Sequence, residues 1–544
     1  MRDASCKHRW RGPTAACLIG LLALAGCGPK NYKQDADERV YTIIDEKWDP
    51  AFGSKANYRI SDTAPSPNDV RIENTVGASG LLTLPHAMAL ATAHNREYQT
   101  RKEELYTAAL DLRLVRHDFE YQLFGGGSLL YSNDSRNELV TAEANIGFNR
   151  LLATGTQISS EIAARWLAVL IGAGDHGLAS VFTATVTQPL LRGSDPIVVL
   201  ENLTQAERDT LYEIRSFNRF RKTFAVSVAT EYLWALELYD VVQITRDHLH
   251  ALTALHEDVT KLAAAGRVPE LEADRLRQEI LATRDDLIIA QRVYEQSLDR
   301  FKITLGVPPT SECEIDAGIL DILKQQGIPA PRIVIGEAIE SALCCRLDMA
   351  NSADAVLDAQ RAVYVAADGL RAGVDVSGAV DVDSHGNGTV SAGPILDLPL
   401  DRVAEQAVYR KTLIALEQRR RDYDLDADTV RLEVREAYRR LQETAERHEV
   451  LSEALETAQR RLARTSLLLK HARVSSRRVL AAEQDLYDAR TAATDALIDY
   501  AVATLNFYRD SGVLQVRPDG MWEAGPAAPP AAWTRQIEDA PTGR

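Results

Sequence analysis

Beyond its first 26 residues the chain has no apolar run long enough to cross a bilayer as a helix, which excludes an ordinary helical membrane protein. Basic charge is also in deficit. Against 78 Asp and Glu stand 62 Lys and Arg, a net charge of −16, so the footprint of a general nucleic-acid binder is missing. The six cysteines show no CxxC spacing and no His cluster beside them, which removes a zinc site. Three of them, Cys313, Cys344 and Cys345, lie well past the N-terminal segment. A disulfide from Cys313 to Cys344 or Cys345 and a set of buried free thiols both fit their positions. Gly125-Gly126-Gly127 lacks the Lys-Ser/Thr and helix of a phosphate loop. No nucleophile–base set is legible, so neither an enzyme nor a cofactor is expected. The acidic pairs Asp285-Asp286 and Asp381/Asp383 read as solvated or pore-facing charges. His256 and His448 read as packed spacers, and His117 and His385 stand alone near strand ends. Aromatics make up only 6%, leaving an Ala- and Leu-rich chain of the kind that builds long helices.

What is there is a heptad seam. Val434, Leu441, His448, Leu455, Leu462 and Leu469 fall seven apart, and Ala437, Thr444, Leu451, Ala458 and Thr465 form a second series three residues on. These are the a and d positions of a packed helix. Subtracting 206 lands on a second copy, Ala235, Val242, Leu249, His256 and Ala263 with Leu238, Thr245, Leu252 and Val259. The same shift pairs Phe301 with Phe507 and Gly306 with Gly512, without a gap. The molecule is therefore expected to be one helical unit used twice.

Taken in order, residues 1–26 read as an export signal, with Arg2, Lys7, Arg9 and Arg11 before a short apolar run. Residues 27–80 read as a polar, irregular tether lying along the body. The first repeat, 81–310, opens with Leu82-Thr83-Leu84 and a helix to about 116. The second, 311–512, opens with Ile333-Val334-Ile335 and a helix to about 368; here the offset is 251. Strand alternation follows in 119–190 and 373–400. The first of these is longer than a pair of strands needs, so an extra surface hairpin is expected. Gln188-Pro189-Leu190-Leu191-Arg192-Gly193 and Leu398-Pro399-Leu400-Asp401-Arg402 close the two regions, with the prolines ending the ladder. Long helices follow over about 200–265 and 404–471, each roughly 100 Å. Each turns at a tip, Gly266-Arg267-Val268-Pro269 or Ala472-Arg473-Val474-Ser475, and returns over about 270–305 or 476–511. Residues 513–544 read as a flexible tail, the alternative being a segment folded back on the body.

Leu24-Ala25-Gly26-Cys27 resembles a bacterial lipobox, with Cys27 as the lipid attachment site. The duplicated order of helix, strands and hairpin resembles the TolC-like outer-membrane efflux proteins, in their lipoprotein branch, over about 80–512. The resemblance is carried by the L-T-L opening with Asn95, the Q-P-L-L-R-G and L-P-L-D-R strand exits, Arg473-Val474-Ser475 with Val479-Leu480-Ala481-Ala482-Glu483-Gln484, and Ala501 to Gly512. It implies a mainly α fold with a transmembrane β portion, forming a trimeric α-helical barrel in the periplasm and a shared 12-stranded β-barrel in the outer membrane. Pro189 and Pro399 would mark the strand-to-helix junction. Gly266, Arg267, Glu272, Asp274, Arg473 and Arg478 are the candidate tip and aperture residues. The implied partners are a periplasmic adaptor protein, an inner-membrane pump and outer-membrane lipid. Relatives often carry carboxylates after the second tip, where this chain has Arg478 and Ala481, so an acidic gate ring is not carried over. The function implied is a passive exit duct for small molecules. A type I protein-secretion duct is the alternative within that class, and a non-conducting coiled-coil envelope lipoprotein is the alternative outside it. Strands apolar on one face only would separate a duct from a scaffold.

Overall fold

The computed structural model describes residues 29–60, 81–134, 137–171, 177–327, 334–398, 400–471 and 473–524. Cys27, Pro399 and Ala472 lie outside them. Helix α1 (Pro29–Lys47) occupies part of the expected irregular tether. It buries Val40, Tyr41, Ile43 and Ile44 in the main core, joined there by Trp48, Phe52 and Tyr58. That apolar stripe is only a turn and a half long and sits among charges, too short to stand out as a helical period. Over 29–60 the chain is thus a docked element.

Strand β1 (Leu81–Leu82) is followed by α2 (Leu84–His94) and α3 (Arg96–His117). The single opening helix that the sequence leads one to expect is therefore two. Asn95 makes the break, accepting from Tyr98 N at 2.9 Å as N-cap of α3 and donating from Nδ2 to Thr304 O at 2.8 Å. Strands β2 (Gln122–Asp134), β3 (Asn137–Leu151), β4 (Gln157–Ile171) and β5 (Gly177–Pro189) come next. A short helix α4 (Pro196–Val199) leads into α5 (Glu201–Ala264), which returns as α6 (Glu270–Leu305). Strand β6 (Glu314–Ile315) pairs in parallel with β1 and precedes α7 (Gly318–Gln326).

The second repeat then runs α8 (Ile335–Cys345), α9 (Leu347–Asp368), β7 (Gly373–Asp383), β8 (Gly388–Asp397), α10 (Val403–Lys470) and α11 (Ser476–Asp510). Arg346 stands between α8 and α9 where Asn95 stands in the first copy, 251 residues earlier, though without a side-chain cap bond. Gly306 and Gly512 both end their return helices with positive φ, at 75° and 79°. A Cβ on Gly306 would lie 2.2 Å from His94 O, so the end of α6 is pressed into the α2–α3 break. After Gly512 the chain folds back as β9 (Leu514–Val516) and β10 (Trp522–Ala524), with Leu514 in the core. Over 513–524 the alternative reading of the tail is the correct one; residues 525–544 lie outside the described residues.

The seam positions of α10 from Val434 to Leu469 are all buried or half-buried, as are their counterparts in α5. The long helices form a layer in the order α6–α5–α11–α10. Its edge helices carry exposed apolar residues, Leu281 and Ile288 on α6 and Leu425 and Leu432 on α10. Above it stands one sheet in the order β2-β3-β4-β5-β7-β8, every pairing antiparallel. The first repeat supplies four of these strands and the second two. The expected extra hairpin is thus part of the sheet, and the chain brings six strands where a 12-stranded barrel shared by three chains takes four.

Candidate functional site

Register divides the sheet into two unlike faces. On one face Ile146 lies opposite Ile162, Ile162 opposite Phe182, and Phe182 opposite Val382. Trp166 opposite Leu178, Leu129 opposite Ala142 and Val380 opposite Val390 extend the same apolar surface. Ile146, Leu178 and Val390 are 64, 66 and 76% exposed, and the polar residues among them are the small Ser160 and Ser180, with Arg150 and Gln188 at the lower rim. The other face is polar and cross-linked. Asn145 Nδ2 donates to Glu161 at 2.9 Å, Arg165 pairs with Glu143 at 3.1 Å, and Thr183 Oγ1 donates to Asp381 at 2.8 Å. Strands of 10 to 15 residues are long enough to cross a bilayer when tilted. Among the described residues no helix is long and apolar enough to do so.

The junction below the sheet is built around Pro189. Leu190 N donates to Val374 O at 2.7 Å, continuing the β5–β7 ladder past the proline. Gly193, at φ 74°, turns the chain toward α4 and donates from its backbone N to Asp368 at 2.7 Å. Arg192 pairs with Asp397 at 2.5 Å, tying the ends of both strand regions together. Tyr364 donates to Asp195 at 2.5 Å and holds that carboxyl below its ordinary range, the N-cap bond from Ile197 N adding to it. Strand β5 ends at Pro189, and α4 begins at Pro196.

At the far end Ala265–Pro269 closes the first hairpin. Arg267 N donates to Leu262 O at 2.9 Å and Gly266 N to Ala263 O at 2.8 Å, the Schellman pattern, with Gly266 at φ 67°. Arg473 N makes the matching bond to Leu468 O at 2.9 Å. Leu255, Val259, Leu276 and Val479 form a small core that packs the two tips side by side. Gly266, Arg267, Asp274, Arg473 and Arg478 are exposed there. Glu272 is not. Its carboxyl accepts from Ser476 Oγ at 2.8 Å, faces Arg275 at 3.5 Å and Arg477 at 3.9 Å, and is 19% exposed. The structure makes Glu272 a tie between hairpins.

One constellation escaped the sequence. Between α5 and α9, Arg208 pairs with Asp358 at 2.5 Å and Asp354 at 2.9 Å, and Arg215 with Asp354 at 2.6 Å. Arg361 joins Asp358 at 2.8 Å to Glu201 at 3.1 Å. Tyr212 donates to Asp358, and burial together with that carboxylate pushes its phenol above the ordinary value. Burial opposes the charge of Arg208, yet Tyr212, Asp354 and Asp358 hold its pKa above the usual one. The spacing of Asp354 and Asp358 was visible, but a charged helix face reads as solvated until its partner is known. Cys313, Cys344 and Cys345 are free thiols, each half-buried.

No family model matches the chain, and no curated protein sequence does. Solved structures do. A structure of CusC described in terms of folding and transmembrane channel formation aligns over 83% of this chain and 98% of its own, at 16% identity and a TM-score of 0.58. The outer membrane protein VceC from Vibrio cholerae aligns over 79% and 96%, at 15% identity and a TM-score of 0.56. The open-state MtrE outer membrane channel from Neisseria gonorrhoeae covers 79% and 88%, at 15% identity and a TM-score of 0.56. With repeats, sheet, junction and tips in the places described above, this chain has the fold of the TolC-like outer-membrane channels.

Proposed function

We propose that the protein is the outer-membrane channel of a tripartite efflux system, a trimeric and passive exit duct for small molecules. The observation that carries this reading is the sheet, apolar on one face, polar on the other and open at both edges, above rods roughly 100 Å long. An open sheet in lipid leaves backbone groups unsatisfied, and closure among copies removes that cost. The helix layer has the same character, since its edge helices α6 and α10 present apolar residues outward. The structural neighbours, VceC described as an outer membrane protein and MtrE as an outer membrane channel, support the same assignment. A two-faced sheet weighs against a non-conducting scaffold.

In this reading residues 1–26 are a lipoprotein signal, Cys27 carries lipid, 27–80 is the N-terminal tether, 81–310 and 311–512 are the two repeats, and 513–544 is the C-terminal segment. The helical part stands in the periplasm. The tips around Gly266, Arg267, Arg473 and Arg478 meet a periplasmic adaptor coupled to an inner-membrane pump, which supplies the energy. Packing at the tips keeps the inner end shut, and loosening the hairpins opens it. Purified in detergent, the protein should run as a heat-sensitive trimer and conduct ions in planar bilayers; a monomer without conductance overturns the assignment. Cys27→Ser should abolish acylation, read by mass spectrometry, while trimers still form.

A further inference from the structure

Six strands per chain change what a shared barrel must be. The β3–β4 pair lies in the middle of the sheet, between β2 and β5. Its lower turn, Leu152–Thr156, is seated in the strand-to-helix junction. Gln188 Nε2 donates to Thr154 O at 3.1 Å, and Thr156 bonds Gln188 as well. A Cβ on Gly155 would lie 2.6 Å from Gly193 O and 2.8 Å from the Pro189 ring. The added pair therefore starts at the same level as the strand that leads into the helices, and its apolar residues share the apolar face of its neighbours. Removing β2 and β3 from the wall would break the full β3–β4 ladder and leave Phe148, Ile146 and Leu129 without lipid.

The free edges also match. The edge strand β2 rises from the junction and β8 descends to it, so pairing between copies continues the antiparallel alternation. Leu123, Leu129 and Tyr131 on β2 and Val390 and Leu396 on β8 lie on the same apolar face. Gly125-Gly126-Gly127, which no phosphate loop explains, sits in the middle of this edge strand.

We propose that the sheet closes with second and third copies of this chain as an eighteen-stranded barrel, β8 of each copy pairing with β2 of the next. The count rests on the trimer of the preceding section. At a strand spacing of about 4.8 Å and a tilt of about 40°, eighteen strands give a barrel about 36 Å across, against about 24 Å for twelve. A barrel of that size keeps an aqueous channel, so size selection falls to the helical end.

The test is cross-linking in the full-length protein with Cys313, Cys344 and Cys345 changed to Ser. Single cysteines replace Ser128, Leu130 or Ser132 in β2 and Thr389, Ser391 or Gly393 in β8, all on the polar face, and are combined pairwise. At least one pair should give a covalent trimer on oxidation that survives boiling in detergent, while no single substitution does. Native mass spectrometry of the same sample counts the copies. Three copies with no β2–β8 cross-link overturns the eighteen strands. A cross-link from Ser391→Cys to Ala163→Cys in β4 also overturns them, since it leaves twelve. Two copies overturn the trimer itself.

Discussion

Two glycines with nearly the same backbone conformation carry different burdens. Gly306 and Gly266 have φ of 75° and 67°, but only Gly306 faces backbone, at His94 O, whereas open space surrounds Gly266. Gly266→Ala should cost about 1 kcal/mol, the left-handed penalty alone, and Gly306→Ala at least about 2 kcal/mol. Thermal dissociation of the purified assembly separates the two. Lys222 makes a second case. It is 6% exposed, and burial first, then Arg219, depresses its pKa from 10.5 to about 8. The folded state therefore binds a proton less readily than the unfolded one, and stability is reduced below pH 8 and recovers as pH rises from 8 to 10.5. Lys222→Met should stabilise by up to about 3 kcal/mol near pH 7, with the gain fading toward pH 10.5 in denaturant titrations. Neither effect was legible in the sequence. Gly306 was visible as a helix end, but not the backbone against it; Lys222 looked like one more solvated charge on a long helix.

Among the elements, the hairpins show why some of the fold could be read and some not. A heptad seam is a local signal, so its buried stripe from Val434 to Leu469 was fixed by spacing alone. The two repeat offsets, 251 ahead of the strands and 206 behind them, already placed the extra residues of the first copy within its strand region. What spacing cannot say is where those residues go, because strand order depends on pairing between distant segments. The same holds for Glu272, which read as an aperture charge and proved to face Ser476, 204 residues away. Glu272→Ala should free the tips and raise single-channel conductance, at a stability cost of about 1 kcal/mol. Ser476→Ala should do the same, and the double substitution should add little to either. Fully additive effects would show that the two side chains act apart.

At the scale of the whole molecule, the chain is a strip of sheet and a layer of helices, each ending in two unsatisfied edges. Sequence reasoning reached the duplicated rods and the strand regions, and left the two faces of those strands as the test between a duct and a scaffold. It read α1 as irregular chain and kept the docked β9–β10 segment only as an alternative, because Val40, Ile44 and Leu514 gain meaning only from the shared core they enter. The polar face of the sheet has one more consequence. Glu143, Glu161, Asp375, Asp381 and Asp383 lie on it, with Arg165 the basic residue among them. Lining a bore, such a wall behaves as a fixed-charge membrane in the Donnan sense, enriching counter-ions at low salt and losing its grip as the screening length shrinks. Under a tenfold KCl gradient the reversal potential should favour potassium. Asp381→Asn combined with Asp383→Asn should move it toward zero, so permselectivity would reside in the barrel.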